Sequence, residues 1–262
     1  MNRKFEHRAE MTVRRKVGRA VHHYGLLREG DRVLVAVSGG KDSLVLLDIL
    51  RKIPDWAPIR YELVPFTLDQ GFPGFDAAEV RRQVARLGLE LVVERAPVSE
   101  ILACKAPRVS TPCSLCSRLR RGAIYQAAQR LDCHRIALGH HADDLIETLL
   151  LNLFFTGELK SMPPLLKAED GRNVVIRPLC FLFEQEVAAY FEQLGLRAVN
   201  AGCPDRQILL RRRRWIKDLL QEWEKINPRV RHSLLAALQH VRADFLLDPR
   251  LLSGTACRPG PR

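Results

Sequence analysis

The six residues Ser38-Gly39-Gly40-Lys41-Asp42-Ser43 constrain this chain more than any other stretch. They follow a short apolar run, residues 31–38, and open a segment, 41–52, whose apolar residues recur at helical spacing. The order is strand, tight turn, helix. Two glycines let the backbone turn sharply enough for its amides to approach an anion, and the helix N-terminus adds a favourable dipole. Lys41 can neutralise phosphate charge, and Ser38 and Ser43 supply hydroxyl donors to phosphate oxygens. The spacing does not match the GxxxxGK[ST] loop. A solvated glycine turn is the bland alternative, and the strand and helix on either side argue against it.

The same alternation continues. Residues 61–69 read as a strand, 76–87 as a helix and 89–96 as a strand. Residues 113–131 read as a loop feeding a helix, followed by strand 135–140 and helix 142–155. Strands alternating with helices at this spacing predict an α/β fold with a doubly wound, mainly parallel, Rossmann-like sheet covered on both faces. Ligands of such sheets sit at the carboxyl ends of the strands, where the strand order reverses. Beyond Gly157 the pattern changes: 158–173 reads as loop, 174–179 as one more strand, and 184–194, 207–225 and 231–245 as helices. The expected organisation is a basic helical segment over 1–30, the α/β domain over 31–200, a helical C-terminal extension over 201–252 and a disordered tail over 253–262.

The 42 Lys and Arg outweigh 30 Asp and Glu, and the net charge of +12 favours a polyanionic partner without telling RNA from DNA. The longest apolar runs, 44–50 and 149–155, fall far short of the roughly 20 residues that cross a bilayer. The N-terminal stretch MNRKFEHRAE is charged, so a cytoplasmic protein with no membrane contact is expected. Seven cysteines in such a chain argue against a disulfide framework and leave metal binding or catalysis open. Two of them form Cys113-Ser114-Leu115-Cys116. Thiols at this spacing can hold one tetrahedral iron or zinc from a single turn, but a redox dithiol, half of a zinc site and two packed thiols fit equally.

The glycine loop resembles the pyrophosphate-binding loop of the ATP pyrophosphatase (PP-loop) superfamily, whose members split ATP between the α and β phosphates and adenylate a substrate. Together with that loop, the run from Thr111 to Tyr125 (TPCSLCSRLRRGAIY) resembles the tRNA 2-thiocytidine synthetase family. The match continues in Gly139-His140-His141-Ala142-Asp143-Asp144, Asn152-Leu153-Phe154, Met162-Pro163-Pro164 and Ile176-Arg177-Pro178-Leu179, so it spans most of the chain. The resemblance implies ATP with Mg2+ bound across Ser38, Gly39, Gly40, Lys41, Asp42 and Ser43. It also implies a 4Fe-4S cluster held by Cys113, Cys116 and Cys203, and thiolation of cytidine 32 in the tRNA anticodon loop. Family members commonly carry a second CxxC where this chain has Cys203-Pro204-Asp205-Arg206. Three protein ligands leave one iron open for hydrosulfide or persulfide, and zinc remains an alternative from the residues alone. Cys104, Cys133, Cys180 and Cys257 read as core or surface thiols.

Asp143 and Asp144 open a helix after a strand, which suits capping. The family pattern before them favours a functional role for one of the pair, with Asp143 assigned to catalysis and Asp144 to nucleotide binding, and either one able to hold Mg2+ or orient the substrate base. Gly139 would let adenosine approach the backbone, and Asp69 either lines the nucleotide site or caps a strand end. His140 and His141 read as satisfied polar residues at a strand end. Arg118, Arg120 and Arg121 follow the CxxC, and arginines fill 211–214. Ile208, Trp215, Ile216, Leu219 and Trp223 share one face of the late helix, so Arg213 and Arg214 are expected to point away from the core toward tRNA. Arg212 would fall within the apolar stripe. Arg14-Arg15-Lys16 is expected to extend this basic surface, and aromatics look too sparse for a stacking platform.

The expected reaction begins when the cytidine O2 attacks the α-phosphate and pyrophosphate leaves. Lys41 and the loop amides stabilise the charge that develops. Sulfur then attacks C2 and AMP departs. A cysteine desulfurase persulfide or inorganic sulfide is the expected donor, and relatives suggest a homodimer. The rivals are a 2-thiouridine-forming relative, a lysidine-type ligase and a non-enzymatic iron-sulfur sensor.

Overall fold

The computed structural model describes residues 3–105, 112–168, 171–199 and 206–251. Met1–Lys217 and Asp218–Arg262 are two compact units. The first opens with α1, Arg3–Tyr24, and continues β1 Arg32–Ala36, α2 Lys41–Lys52, β2 Glu62–Asp69, α3 Ala77–Ala85, β3 Val92–Arg95, α4 Val98–Lys105 and α5 Pro112–Arg130. Then come β4 Arg135–Ala137, α6 Ala142–Phe155, β5 Leu165–Lys167, β6 Val174–Ile176, α7 Glu184–Leu194 and α8 Arg206–Ile226. The second unit takes up the end of α8 and holds α9, Val230–Ala237, with Arg231 bonded to Glu224 at 2.8 Å.

The six strands run in the order β3-β2-β1-β4-β6-β5. All neighbouring pairs are parallel except the antiparallel pair of β5 with β6. The order reverses between β1 and β4, and that crevice is where a sheet of this kind takes its ligand. Helix α2 is the central element: Ser43 through Leu50 are all buried. Eight consecutive residues without an exposed position would be costly in a surface helix, but here α2 packs on β1, β2 and α7, while α1 also lies against α7. Its one interior carboxylate, Asp48, is fully buried and bonded to the Tyr190 hydroxyl at 2.6 Å, Lys52 at 3.0 Å and Arg51 at 2.8 Å, so no charge is left alone.

The expected helices 41–52, 142–155 and 184–194 form with those limits. Elsewhere the structure corrects the sequence reading. Residues 113–131 hold no loop before their helix, because α5 is helical from Pro112, a residue whose fixed φ suits the first helical position. Helix α4 was not expected, since it buries only Val98 and Leu102 and so carries a weak periodic signal. Strand β5 lies inside the stretch read as loop, a three-residue edge strand too short to show alternation. The predicted helix 231–245 ends at Ala237 and resumes only as a 3-10 turn at Ala243–Phe245. The expected tail, 253–262, lies outside the described residues, as does Cys257.

Candidate active site

The loop between β1 and α2 is built by close backbone approach. Gly39 has φ +84°, and a Cβ there would stand 2.9 Å from both Val80 and Val199. The Val199 amide donates to the Gly39 carbonyl at 2.9 Å, which pins segment 196–199 over the turn. Ser43 Oγ donates to the Gly40 carbonyl at 2.8 Å and lies 3.3 Å from Ser38 Oγ. Gly40, the residue before α2, has no side chain to cap it, so the helix presents its dipole end to an anion. Gly139, at the end of β4, faces this loop. A Cβ on it would meet the Asp42 carbonyl carbon at 3.0 Å and the Ser43 nitrogen at 3.1 Å. Glycine is therefore required there by the chain's own loop, a cause different from the adenosine contact expected from sequence.

Around the loop lies a chain of alternating charges. Lys41 Nζ is 3.0 Å from Asp42 Oδ1 and 3.2 Å from Glu184 Oε1. Glu184 Oε2 also accepts from Lys217 at 3.0 Å. Lys217 lies 3.7 Å from Glu147, and Arg213 reaches Glu147 at 3.1 Å and Asp144 at 3.3 Å. The imidazole of His141 sits among three acids, at 3.9 Å from Asp42, 3.7 Å from Asp143 and 3.6 Å from Asp144. Burial would raise the Glu184 carboxyl, but the Lys217 hydrogen bond and the charges of Lys41 and Lys217 hold it down at about 2. Burial lowers and then Asp42 and Glu184 together raise the Lys41 ammonium above its ordinary value. Glu147, almost fully buried, is raised chiefly by desolvation against the pull of Lys217 and Arg213.

The two aspartates divide their work. Asp143 is 4% exposed and accepts the Glu184 backbone N–H at 2.7 Å, which holds the start of α7 against α6. Asp144 accepts the His141 amide at 3.1 Å through one oxygen and meets Arg213 with the other. Its carboxylate and that of Asp42 are the two that His141 Nε2 faces. Asp69 accepts the Gly71 amide at 2.8 Å, a turn at the end of β2.

The cysteine pair arrives at the same sheet edge. Cys113 and Cys116 occupy the first turn and a half of α5, where the i,i+3 spacing puts both thiols on one side of the helix, half-buried. Cys116 Sγ lies 3.7 Å from Gln70 Oε1, directly after β2. This arrangement suits a centre that needs two soft ligands from one turn, at a helix end that favours negative charge. Cys203 lies outside the described residues. Among the described residues no three His, Cys, Asp or Glu side chains by themselves surround a metal. Cys133 and Cys180 are buried as expected, and desolvation pushes their thiols up to about 11 and about 12.

Two further motifs prove to be struts. Arg177 donates to the Pro163 carbonyl at 2.6 Å and to His140 Nδ1 at 3.3 Å, joining 162–164, 176–179 and the end of β4. Burial, then the Arg177 charge, pushes His140 down to about 4, so it stands neutral.

Among the arginines, Arg118, Arg120, Arg121, Arg211, Arg212 and Arg214 are exposed. Arg213 is not turned away from the core as expected: it shares the inward line of α8 with Ile216 and Lys217 and pairs with α6. Trp215, expected on the apolar face, is 48% exposed and packs edge-on against Phe154 and Phe155 with ring centroids 5.8 Å apart. Arg212 stacks over Phe155 at 4.7 Å, which agrees with its place near the apolar stripe. The side chain of Ile208 lies outside the described residues. Arg14 stacks on Trp56 and Lys16 bonds Glu186 at 2.6 Å, contacts that tie α1 to its neighbours, while Arg14 and Arg15 remain exposed.

Sequence reasoning missed Glu147, Glu184 and Lys217 as site residues. Glu147 was detectable as the residue one helical turn after Asp143 and Asp144. Glu184 and Lys217 carried no local signal.

Comparison with known proteins agrees with this geometry. The PP-loop domain family matches residues 9–221. The chain is 46% identical over 242 residues to the tRNA-cytidine(32) 2-sulfurtransferase of Anaeromyxobacter dehalogenans, covering 92% of this chain and 83% of that one. It is 44% identical to the protein of the same name from Geobacter sulfurreducens, over 91% of this chain and 93% of the relative. Among solved structures, the U34-tRNA thiolase NcsA of Methanococcus maripaludis with its [4Fe-4S] cluster superposes with a TM-score of 0.71 at 23% identity, over 91% of this chain and 81% of that one, a likeness of fold. Among the described residues no helix is long and apolar enough to cross a membrane. With a nucleotide loop, a cysteine pair at the same sheet edge and relatives this similar over nearly their whole length, the chain belongs to the PP-loop family and, within it, to the tRNA-cytidine(32) 2-sulfurtransferases.

Proposed function

We propose that this protein converts cytidine 32 of tRNA to 2-thiocytidine in an ATP-dependent reaction that releases AMP and pyrophosphate. The observation that carries the reading is the meeting of two chemistries at one sheet edge: the phosphate loop follows β1, and Cys116 touches Gln70 at the end of the neighbouring β2.

The loop amides, Ser38, Ser43 and the N-terminus of α2 bind the phosphates, and Lys41 leaves Asp42 or Glu184 to neutralise charge that grows as pyrophosphate departs. Asp42 and Asp144, the half-exposed carboxylates that face His141, would hold Mg2+; two carboxylates plus phosphate oxygens and water suit that ion. Asp143 is a positioning residue, since its carboxylate is engaged with the start of α7. Cys113 and Cys116, with Cys203 as the third ligand, would hold a [4Fe-4S] cluster, as NcsA carries one. Such a cluster, when bound, would supply a Lewis-acidic iron that takes up the donor's sulfur, the atom that replaces the base oxygen.

Arg118, Arg120 and Arg121 on α5, with Arg211, Arg212 and Arg214 on α8, supply phosphate contacts for tRNA, and binding should weaken with salt. Phe154, Phe155 and Trp215 give that surface exposed rings on which an unstacked base can lie. A cytoplasmic location follows from that substrate, and a persulfide or sulfide serves as sulfur donor.

The test uses anaerobically reconstituted protein with bulk tRNA, ATP, Mg2+ and sulfide. AMP, pyrophosphate and 2-thiocytidine should form together, and none without tRNA. ADP as product, or thiolation of uridine alone, sinks the proposal.

A further inference from the structure

We infer that Lys217 is a second phosphate lysine of the nucleotide site: on ATP entry its ammonium leaves Glu184 for the oxygens of the pyrophosphate half. The inference rests on the ATP-binding reading of the loop and is indifferent to which nucleic acid is modified.

Glu184 is held by two ammonium groups at once. Its Oε1 is 3.2 Å from Lys41 and its Oε2 is 3.0 Å from Lys217. Lys41 belongs to the phosphate loop, so the carboxylate occupies a position between that loop's cation and a cation from α8. A phosphate group presents the same feature to its surroundings, an anion with several oxygens that can be shared between two donors. Glu184 is thus an internal anion at a place where a polyphosphate can substitute for it.

Charge supports the exchange. Asp42, Asp144, Glu147 and Glu184 gather around Lys41, Arg213 and Lys217, so the three cations are already outnumbered before a nucleotide arrives. Lys41 alone cannot offset the added phosphate charge. Of the two cations on α8, Arg213 is bound to a pair of acids, at 3.1 Å and 3.3 Å. Lys217 is the one that can move. Its side chain is 44% exposed, and its remaining acid, Glu147, is at 3.7 Å. Glu147 is the deeply buried member of the group, and Arg213 keeps it paired when Lys217 departs. No buried charge is stranded by the movement, which removes the largest cost it could carry. Glu184, half-exposed at the start of α7, can turn to water once its partners are engaged.

The experiment measures equilibrium binding of ATP, AMP and pyrophosphate to the full chain with Mg2+, for the wild type and for K217M, K217R and E184Q. K217M should weaken ATP and pyrophosphate roughly tenfold or more, the loss of one charge-assisted contact, and leave AMP within about twofold. K217R keeps the charge and should retain ATP binding. E184Q removes the competing carboxylate without changing shape, so it should tighten ATP, and K217M should abolish most of that gain in the double variant. Unchanged ATP affinity in K217M, an equal loss for AMP, or weaker ATP binding in E184Q overturns the inference and leaves the thiolation proposal standing. A wild type that binds no ATP defeats both.

Discussion

At the residue scale, position 139 shows how little room the nucleotide loop allows. A methyl group there would stand 3.0 Å from the backbone of Asp42, so G139A must push the loop outward. A displacement near 1 Å in a phosphate site costs on the order of a hundredfold, and pyrophosphate release by G139A should fall in kcat/KM by about that factor. Arg213 and Arg214 are adjacent in sequence and face different partners. R214A should lower the salt dependence of tRNA binding by roughly one unit in the logarithmic slope. R213A should leave that slope unchanged and instead cost about 1–2 kcal/mol of stability, because Glu147 loses its nearer partner. Urea titration beside filter binding at several salt concentrations separates the two. Sequence marked all four arginines of 211–214 as a basic run, but the direction of each depends on what α8 lies against, and a run of identical residues carries no phase of its own.

At the scale of elements, α2 was legible because its limits and apolar spacing are local properties, yet its all-round burial was not. Leu47 is fully buried, and L47A should cost about 2–5 kcal/mol through lost contacts and the cavity left behind, readable as a lowered melting temperature. The cysteine pair gives the opposite lesson. Its spacing was plain, but its placement on a loop was wrong: α5 already exists at Pro112, and the helix fixes both thiols relative to each other. C113S and C116S should each lose bound iron and acid-labile sulfide after anaerobic reconstitution while ATP binding stays intact. Loss of ATP binding in these variants would mean that the pair supports the fold around the nucleotide site and holds no separate centre. Strand β5 and helix α4 were missed for one reason, since each buries too few side chains to print a period on the sequence.

For the whole molecule, acid should act in two stages. His140 is held at about 4, below its ordinary 6.5, by burial and Arg177. The unfolded chain therefore binds this proton first, and stability should fall as pH drops from 6.5 toward 4. Glu184, held at about 2 below its ordinary 4.5, contributes above pH 4.5 and loses that contribution as pH falls toward 2. Thermal melts across this range should slope downward toward acid, and H140Q should flatten the upper stage alone. Local order along the chain, the glycine turn, the alternation of strand and helix, the family motifs and the excess of positive charge were determined by the sequence itself, because each is either a relation among neighbouring residues, an ordered series of such relations, or a count over the chain. Only the tertiary structure decided which carboxylate meets which cation. Lys41 and Glu184 are 143 positions apart, and Arg213 and Asp144 are 69 apart. Such pairs exist because a parallel sheet brings the ends of distant strands to one edge, and no spacing in the chain encodes a contact that the sheet creates.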